Sequence, residues 1–208
     1  MKLYSAKFSP SPRRVRIFLK EKGLTNIDVV RIDLIALQHK KKAYLQKNPL
    51  GLVPTLELDD GRVLTESMAI CEYLEELYPE PTLFGYDAWQ RAQTREASRI
   101  AEFGLLHGAA QSFQHSSSFF KGRWEQLPQN VTQGQKHFAR HLERFDEILA
   151  DRKWLAGDIF TVADITAICA IDFGKTCGCH IKPNLSNFMR WLDQVRERPS
   201  CQLGSKNK

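Results

Sequence analysis

The feature that most restricts the fold of this chain is a Val-Pro step placed between a turn and a strand. Residues 48–58 read N-P-L-G-L-V-P-T-L-E-L, so turn-forming residues precede Val53-Pro54 and an apolar strand pattern follows. The peptide bond before a proline has only a small preference for the trans form, and a structured turn is able to hold it cis. We expect a cis bond here, with the N–H and C=O of Val53 outside the sheet and able to pair with an extended peptide.

A second segment predicts a binding group of a different kind. Residues 64–70 read L-T-E-S-M-A-I, a pattern typical of a strand end that passes into a helix at Glu66-Ser67. Unpaired N–H groups and the positive end of the helix dipole meet at such a start. Together with the Ser67 hydroxyl they favour a carboxylate. The two segments therefore predict a site for a small peptide.

These segments resemble the glutathione S-transferase family, in which N-P-x-G-x-V-P-x-L is followed by E-S-x-A-I-x-x-Y-L. Further motifs in the second half of the chain extend the resemblance to residues 1–199. The resemblance implies that Val53 and Pro54 bind the cysteinyl backbone of glutathione. It also implies that Glu66 and Ser67 hold the γ-glutamyl end of the tripeptide.

The glycine end of glutathione needs a cation. In plant-type members of the family a His-Lys pair precedes the motif, and His39 and Lys40 stand nine and eight residues before Asn48. The lysine is a suitable point charge for a carboxylate. Lys41 and Lys42 follow directly, so the lysine one position further along remains a candidate for this cation. Leu52 stands where relatives often have Gln, so one polar side-chain contact is lost while the backbone pairing of Val53 survives.

The thiol of glutathione must be stabilised as its anion, because a free thiol with a pKa near 8.5 is mostly protonated at neutral pH. Residues 9–16 read S-P-S-P-R-R-V-R, between the first predicted strand and the first predicted helix. The resemblance to serine-type members implies Ser9 as the thiolate donor, with Ser11 as the second candidate. A third candidate is His115, next to a run of serines, since some bacterial and fungal relatives recruit a His or Ser there through water.

Composition excludes several other classes of protein. The chain has 208 residues, a formal net charge of +6 and two basic clusters, at residues 13–16 and 39–42. No aromatic interleaving or helix-turn-helix pattern accompanies these clusters, so we expect no nucleic-acid partner. A modestly basic surface instead suits an anionic ligand such as glutathione. No apolar run approaches the roughly 20 residues of a membrane span. We therefore expect no membrane partner.

The five cysteines show neither a disulfide framework nor zinc-ligand spacing. This pattern favours a reducing compartment, so we expect a cytoplasmic protein. None of the cysteines lies near Ser9, which weakens the case for thiol–disulfide exchange, because that reaction needs a thiolate on the protein.

The predicted elements change type once along the chain. The order β-α-β-α-β-β-α predicts a thioredoxin-like glutathione-binding domain over residues 1–79, with Pro12 in the first turn of a helix that runs to about Lys22. A proline-rich linker follows at 80–86. Residues 87–202 predict an all-helical domain. It opens with one long helix to about residue 115, in which Gly104 and Gly108 are the candidate kink positions. The predicted fold class is thus α/β plus all-α, the glutathione transferase fold.

The resemblance implies an enzyme, a transferase that conjugates glutathione to a small hydrophobic electrophile in detoxification. Glutathione is then a co-substrate, and no further cofactor or metal is expected. Relatives are typically homodimers, so a symmetric dimer is expected. Two alternatives share the scaffold: a glutathione-dependent peroxidase or disulfide reductase, and a non-enzymatic protein-interaction module.

Overall fold

The structure of the protein is a computed structural model that describes residues 1–202. These residues divide into two compact units, Met1–Leu83 and Phe84–Cys201. The first unit contains a four-stranded sheet with helices, and the second is helical. The predicted fold class, α/β followed by all-α, is confirmed. No helix within residues 1–202 is long and apolar enough to cross a membrane.

The sheet of the first unit is mixed. Its strand order is β2-β1-β3-β4, with β1 and β2 parallel and the other neighbours antiparallel. The strands are β1 (Lys2–Ser5), β2 (Asp28–Arg31), β3 (Thr55–Glu57) and β4 (Val63–Thr65). The predicted order of elements is observed, including the parallel pair that a helical crossover joins.

The helices of the first unit are α1 (Pro10–Glu21), α2 (Lys42–Leu45) and α3 (Ser67–Leu77), with a 3₁₀ turn at Gln38–Lys40. Helix α1 begins at Pro10. Proline suits the first helical position, where its missing N–H would have no intrahelical partner. Pro12 lies in the first turn, as predicted, and Ser9 is the N-cap residue.

The register of the sheet brings four connecting segments to one end. Thr55 of β3 is paired with Thr65 of β4 and with Tyr4 of β1, while Ser5 lies opposite Arg31. The carboxyl ends of β1, β2 and β4 and the amino end of β3 therefore meet. We call this the site end of the sheet, because the segments that leave it contain the residues predicted to bind glutathione.

The loop that enters β3 is fixed by two buried side chains. The Tyr44 hydroxyl donates to the C=O of Leu52 at 2.6 Å and lies 2.9 Å from the hydroxyl of Thr55. The Asn48 amide donates to the same carbonyl at 2.9 Å. Burial raises the pKa of Tyr44, so the phenol stays protonated as a donor. The loop thus has a defined path up to Val53.

A buried ion pair ties the end of the first unit to its core. The ammonium of Lys22 lies 2.6 Å from the carboxylate of Glu75, and both side chains are almost fully buried. Lys22 also donates to the C=O of Tyr78 at 2.7 Å. Glu75 accepts hydrogen bonds from the Thr82 hydroxyl at 2.7 Å and from the N–H of Leu83 at 3.1 Å. The pair therefore holds the chain segment after α3 against the ends of α1 and α3.

The first helical stretch of the second unit is not α-helical throughout. The predicted single helix over 87–115 is observed as α4 (Ala88–Ile100), a π-helical segment (Ala101–Leu106) and α5 (His107–Ser116). Both glycines considered as kink positions lie at close packing contacts. A Cβ atom on Gly104 would lie 2.3 Å from the ring of His141, and one on Gly108 would lie 2.8 Å from the C=O of Gly134.

A 3₁₀ turn at Ser118–Phe120 and three α-helices follow in the described part of the second unit: α6 (Pro128–Ile148), α7 (Val162–Thr176) and α8 (Ser186–Glu197). Thr161 and Asp164 form a capping box at the start of α7. The buried Asp164 carboxylate also accepts from the indole N–H of Trp191 at 2.7 Å and from the N–H of Leu155 at 3.0 Å. Burial raises the pKa of Asp164, against the effect of these hydrogen bonds.

We expect Glu75→Gln to lower the free energy of unfolding by about 3–5 kcal/mol, because it leaves the buried Lys22 ammonium without its countercharge. Urea denaturation followed by circular dichroism measures the loss. The exposed pair Arg144–Glu147, with an N–O distance of 3.3 Å, provides a control. Glu147→Gln is expected to change the free energy by less than about 1 kcal/mol. Equal effects of the two substitutions would contradict the prediction.

We expect Tyr44→Phe to cost about 1–2 kcal/mol of stability, because it removes the donor to Leu52 and leaves the Thr55 hydroxyl with one partner fewer. Tyr73→Phe is the matched control in the same unit, since the Tyr73 hydroxyl makes no hydrogen bond within residues 1–202. Thermal unfolding of both variants tests the difference. A loss no larger for Tyr44→Phe than for Tyr73→Phe would show that the hydroxyl does not fix the loop.

Candidate functional site

Val53 has its main-chain hydrogen-bonding groups available at the site end. The Val53-Pro54 bond is cis, as predicted. Neither the N–H nor the C=O of Val53 makes a hydrogen bond within residues 1–202, although Thr55, two residues later, is paired in the sheet. Val53 is half-buried and Pro54 is buried. An extended peptide is able to pair with this residue as one more strand would.

Ser67 and Glu66 lie directly after β4, at the start of α3. Ser67 is the first residue of the helix and is 4% exposed, and its hydroxyl accepts a hydrogen bond from Arg14 at 2.9 Å. Glu66 has a φ of 67° and an exposed side chain. A positive φ is unfavourable for a residue with a Cβ atom, and such strain is often found at binding sites.

Ser9 and Ser11 lie at the start of α1, after the segment that leaves β1. Their hydroxyls are half-buried and make no hydrogen bond within residues 1–202; Ser9 does not cap the helix with its side chain. Pro10 and Pro12 have no N–H, and the N–H of Arg13 donates to the C=O of Ser9 at 3.2 Å. The N–H of Ser11 is therefore the remaining main-chain donor of the first turn. Two hydroxyls and one N–H at the positive end of a helix favour an anion.

Arg16 fixes the segment that leads from β1 to Ser9. Its guanidinium donates to the hydroxyl of Ser5 at 2.5 Å, to the C=O of Ala6 at 2.8 Å and to the C=O of Lys7 at 3.1 Å. The R-V-R pattern indicates where the serine lies, but it does not indicate the contacts that Arg14 and Arg16 make. The basic cluster at residues 13–16 was the available signal, but it was assigned to surface charge.

His39 and Lys40 pack against the turn that precedes Val53. The Lys40 ammonium donates to the C=O of Leu50 at 3.1 Å. Gly51, with a φ of +60°, has no room for a side chain, because a Cβ atom there would lie 2.8 Å from the C=O of His39. His39 is buried and Lys40 is exposed, so Lys40 is the better placed of the two for a ligand carboxylate.

His115 lies in the second unit, at the end of α5, and both of its ring nitrogens have protein partners. Nδ1 accepts from the N–H of Leu127 at 3.2 Å, and Nε2 lies 3.1 Å from the side-chain amide of Asn130. These contacts join the end of α5 to the chain that begins α6. A role in thiol activation therefore requires His115 to give up one of these contacts.

Within residues 1–202, the cysteines do not suit nucleophilic chemistry and the potential metal ligands do not form a cluster. All five cysteines are thiols and are buried. Burial raises the pKa of Cys179 to about 11 and also raises the pKa of Cys177. These thiols are therefore protonated at neutral pH and unsuited to nucleophilic attack. The described residues contain no group of three or more His, Cys, Asp or Glu side chains able to hold a metal ion.

Comparison with known proteins identifies the same family for both units. The profile described as "Glutathione S-transferase, N-terminal domain" matches residues 3–82, and "Glutathione S-transferase, C-terminal domain" matches residues 109–199. Glutathione S-transferase 2 of Saccharomyces cerevisiae is 36% identical over 206 residues, which cover 97% of this chain and 88% of the relative. Maleylacetoacetate isomerase of Pseudomonas aeruginosa is 35% identical over 170 residues, 79% of this chain and 77% of the relative.

Solved structures agree with this assignment. A glutathione S-transferase domain-containing protein from Marinobacter aquaeolei VT8 superimposes with a TM-score of 0.91 and 34% identity, over 97% of this chain and all of the other. The similarity thus extends over both units and includes the segments that form the site end of the sheet. The chain belongs to the glutathione S-transferase family, and it is a glutathione transferase.

Proposed function

We propose that the protein joins the sulfur of glutathione to a small hydrophobic electrophile, as a cytoplasmic detoxification enzyme that acts as a homodimer. The observation that carries the proposal is the pair of main-chain groups on Val53, which have no hydrogen-bond partner within residues 1–202. Such groups at the edge of a sheet bind an extended peptide. We further propose residues 1–79 as the glutathione-binding domain, 80–86 as the linker and 87–202 as the helical domain.

The arrangement at the site end suggests how the tripeptide binds. The cysteinyl residue pairs with Val53, and the γ-glutamyl end, with its carboxylate and ammonium, lies at Ser67 and Glu66. The glycine carboxylate lies near the cations of the segment His39–Lys40. Each charged end of glutathione then meets a group of opposite charge or a hydrogen-bond donor, which supports this orientation over its reverse.

Ser9 is the proposed donor to the sulfur, with Ser11 as the second candidate and His115 as the third. A thiol with a pKa near 8.5 ionises more easily when a donor and a helix N-terminus stabilise its anion. The thiol proton passes to water, the sulfur forms a bond to the electrophilic carbon, and the leaving group departs with its bonding electrons. The hydroxyl of Ser9 holds a hydrogen bond to the sulfur before attack and loses it as the new bond forms.

Other features of the molecule support the remaining parts of the proposal. The five cysteines are present as thiols, which suits a reducing compartment. Trp89, near the beginning of α4, is 71% exposed. Phe103, in the π-helical segment that follows α4, is 59% exposed. Exposed apolar side chains of this size support a surface for a second copy of the chain.

The alternative activities are distinguished by their products. The buried cysteines disfavour a reductase that uses a thiolate of the protein, whereas reduction through the sulfur of glutathione itself uses the same site. Turnover of hydroperoxides or disulfides without conjugation of chlorinated aromatics would favour the peroxidase or reductase. A protein-interaction module would show neither activity and no affinity for glutathione.

Ser67→Ala is expected to weaken glutathione binding by about 1–3 kcal/mol, because it removes a donor to a charged carboxylate. Isothermal titration calorimetry measures the dissociation constant. Ser186→Ala is the matched control, since Ser186 is also the first residue of a helix but lies in the second unit. Binding that is as strong in Ser67→Ala as in Ser186→Ala would contradict the placement of the γ-glutamyl end.

Ser9→Ala is expected to raise the pKa of the bound thiol towards 8.5 and to lower kcat on the order of 100-fold, as the loss of one donor to a reacting anion does. The ultraviolet absorbance of the thiolate, recorded against pH in the glutathione complex, gives that pKa. Ser11→Ala and His115→Ala are measured in parallel, and smaller shifts are expected for both. A larger shift in either variant would transfer the role to that residue.

A further inference from the structure

A cleft of about 470 Å³ lies on the surface of the second unit. Its volume is within the range of small-molecule sites, about 300–1,000 Å³. All the side chains that line it are polar, and they come from α5 and α6: His107, Gln111, Gln133, Lys136, His137 and Arg140. None of them is among the residues proposed to bind glutathione. The proposed function therefore does not account for this cleft.

The cleft is a consequence of the way in which α5 and α6 pack. The two backbones approach closely at glycines, since a Cβ atom on Gly134 would lie 2.5 Å from the C=O of Gly108. The lining residues recur every three or four positions along each helix, which places them on one face of it. Side chains from both helices therefore meet over the line of contact.

His137 fixes the direction of Arg140. The Nε2 atom of His137 lies 2.8 Å from the C=O of Phe103, and it must carry the proton, because a carbonyl only accepts. Nδ1 is then the acceptor of a neutral ring, and it accepts from Nη2 of Arg140 at 3.2 Å. A neutral partner orients the guanidinium without compensating its charge.

The positive charge of the cleft has no counterpart in the described protein. Within residues 1–202, the Lys136 ammonium makes no hydrogen bond or ion pair, and Arg140 has no carboxylate partner. Neither α5 nor residues 128–142 of α6 contain Asp or Glu. The next acidic residue of α6, Glu143, lies 2.6 Å from the ammonium of Lys182. Like charges four positions apart, as in Lys136 and Arg140, destabilise a helix. An anion held between them would remove this repulsion.

The two cations suit a phosphate group. Side chains four positions apart on a helix have Cβ atoms about 5–6 Å apart, so both charged heads reach one ligand group. A guanidinium binds two oxygens of a phosphate side by side, and an ammonium acts as a point charge on a third. The amides of Gln111 and Gln133 and the ring of His107 add donors and acceptors for a polar body.

We propose that this cleft is a second ligand site, which binds a small organic phosphate. The phosphate lies between Lys136 and Arg140, and the polar body of the ligand lies against the two glutamines and the imidazole rings. The inference goes beyond the proposed function and does not rest on it, because the two sites share no residue.

The test uses adenosine monophosphate and adenosine, which differ only in the phosphate. Isothermal titration calorimetry is made with excess glutathione present, so that the phosphate does not occupy the sites proposed for the carboxylates of the tripeptide. The wild-type protein is expected to bind the monophosphate at least about tenfold more tightly than adenosine, as hydrogen bonds to a charged group require. Nuclear magnetic resonance of the histidine rings is expected to show shifts at His107 and His137.

Lys136→Gln and Arg140→Gln are each expected to weaken the binding of the monophosphate by about tenfold. Lys136 is exposed and has no partner within residues 1–202, so its substitution leaves the fold intact. Arg144→Gln is the matched control. It removes the same charge from the same helix, but Arg144 does not line the cleft and lies 3.3 Å from Glu147. Its effect is expected to be less than about twofold, because solvent and salt screen exposed charges.

The inference is overturned by equal binding of adenosine monophosphate and adenosine. It is also overturned if Arg144→Gln weakens binding as much as Lys136→Gln, because the effect would then come from net charge alone. Succinate that binds as tightly as the monophosphate would overturn the assignment to phosphate. Inorganic phosphate that does so would overturn the role of the polar body. Each of these results leaves the conjugation of glutathione, which is measured separately, unaffected.

Discussion

The pairing of Thr55 with Thr65 and with Tyr4 is the constraint on which the rest of the site depends. Register in a sheet is strict, because a slip by one residue would move every side chain to the opposite face. Once β3 is fixed between β1 and β4, the residues before β3 and those after β4 must lie side by side. The carboxyl end of β1 joins them at the same end of the sheet. A peptide site can therefore form from segments that are distant in the sequence.

Side chains of helix α1 hold two of the segments that meet at the site end of the sheet. Arg16 holds the segment that leads to Ser9, and Arg14 holds the hydroxyl of Ser67. Both arginines use hydrogen bonds to protein groups, so their charge is held within the first unit instead of being carried on a mobile surface side chain. The buried pair of Lys22 and Glu75 fixes the far end of the same helix. Its position is thus determined at both ends.

The sequence was informative wherever a local rule applied, and less so where the cause lay far along the chain. The Val53-Pro54 step, the start of α3 at Ser67 and the capping box of Thr161 follow from residues close to one another. The π-helical segment and the contact of Arg14 with Ser67 do not, since they depend on partners in other helices. His115 shows the same limit, because a serine-rich neighbourhood gives no indication of its contacts with Leu127 and the Asn130 amide.

The alternation of Pro10 and Pro12 in the first turn of α1 has a consequence for which anions this helix can attract. A helix start commonly gathers phosphate by offering a cluster of consecutive amides to several oxygens at once. Because Pro10 and Pro12 have no N–H, the first turn of α1 retains a single available amide, that of Ser11. One amide suits an ion whose charge is concentrated on one atom. A phosphate therefore finds fewer amide contacts at this helix start than at one without prolines.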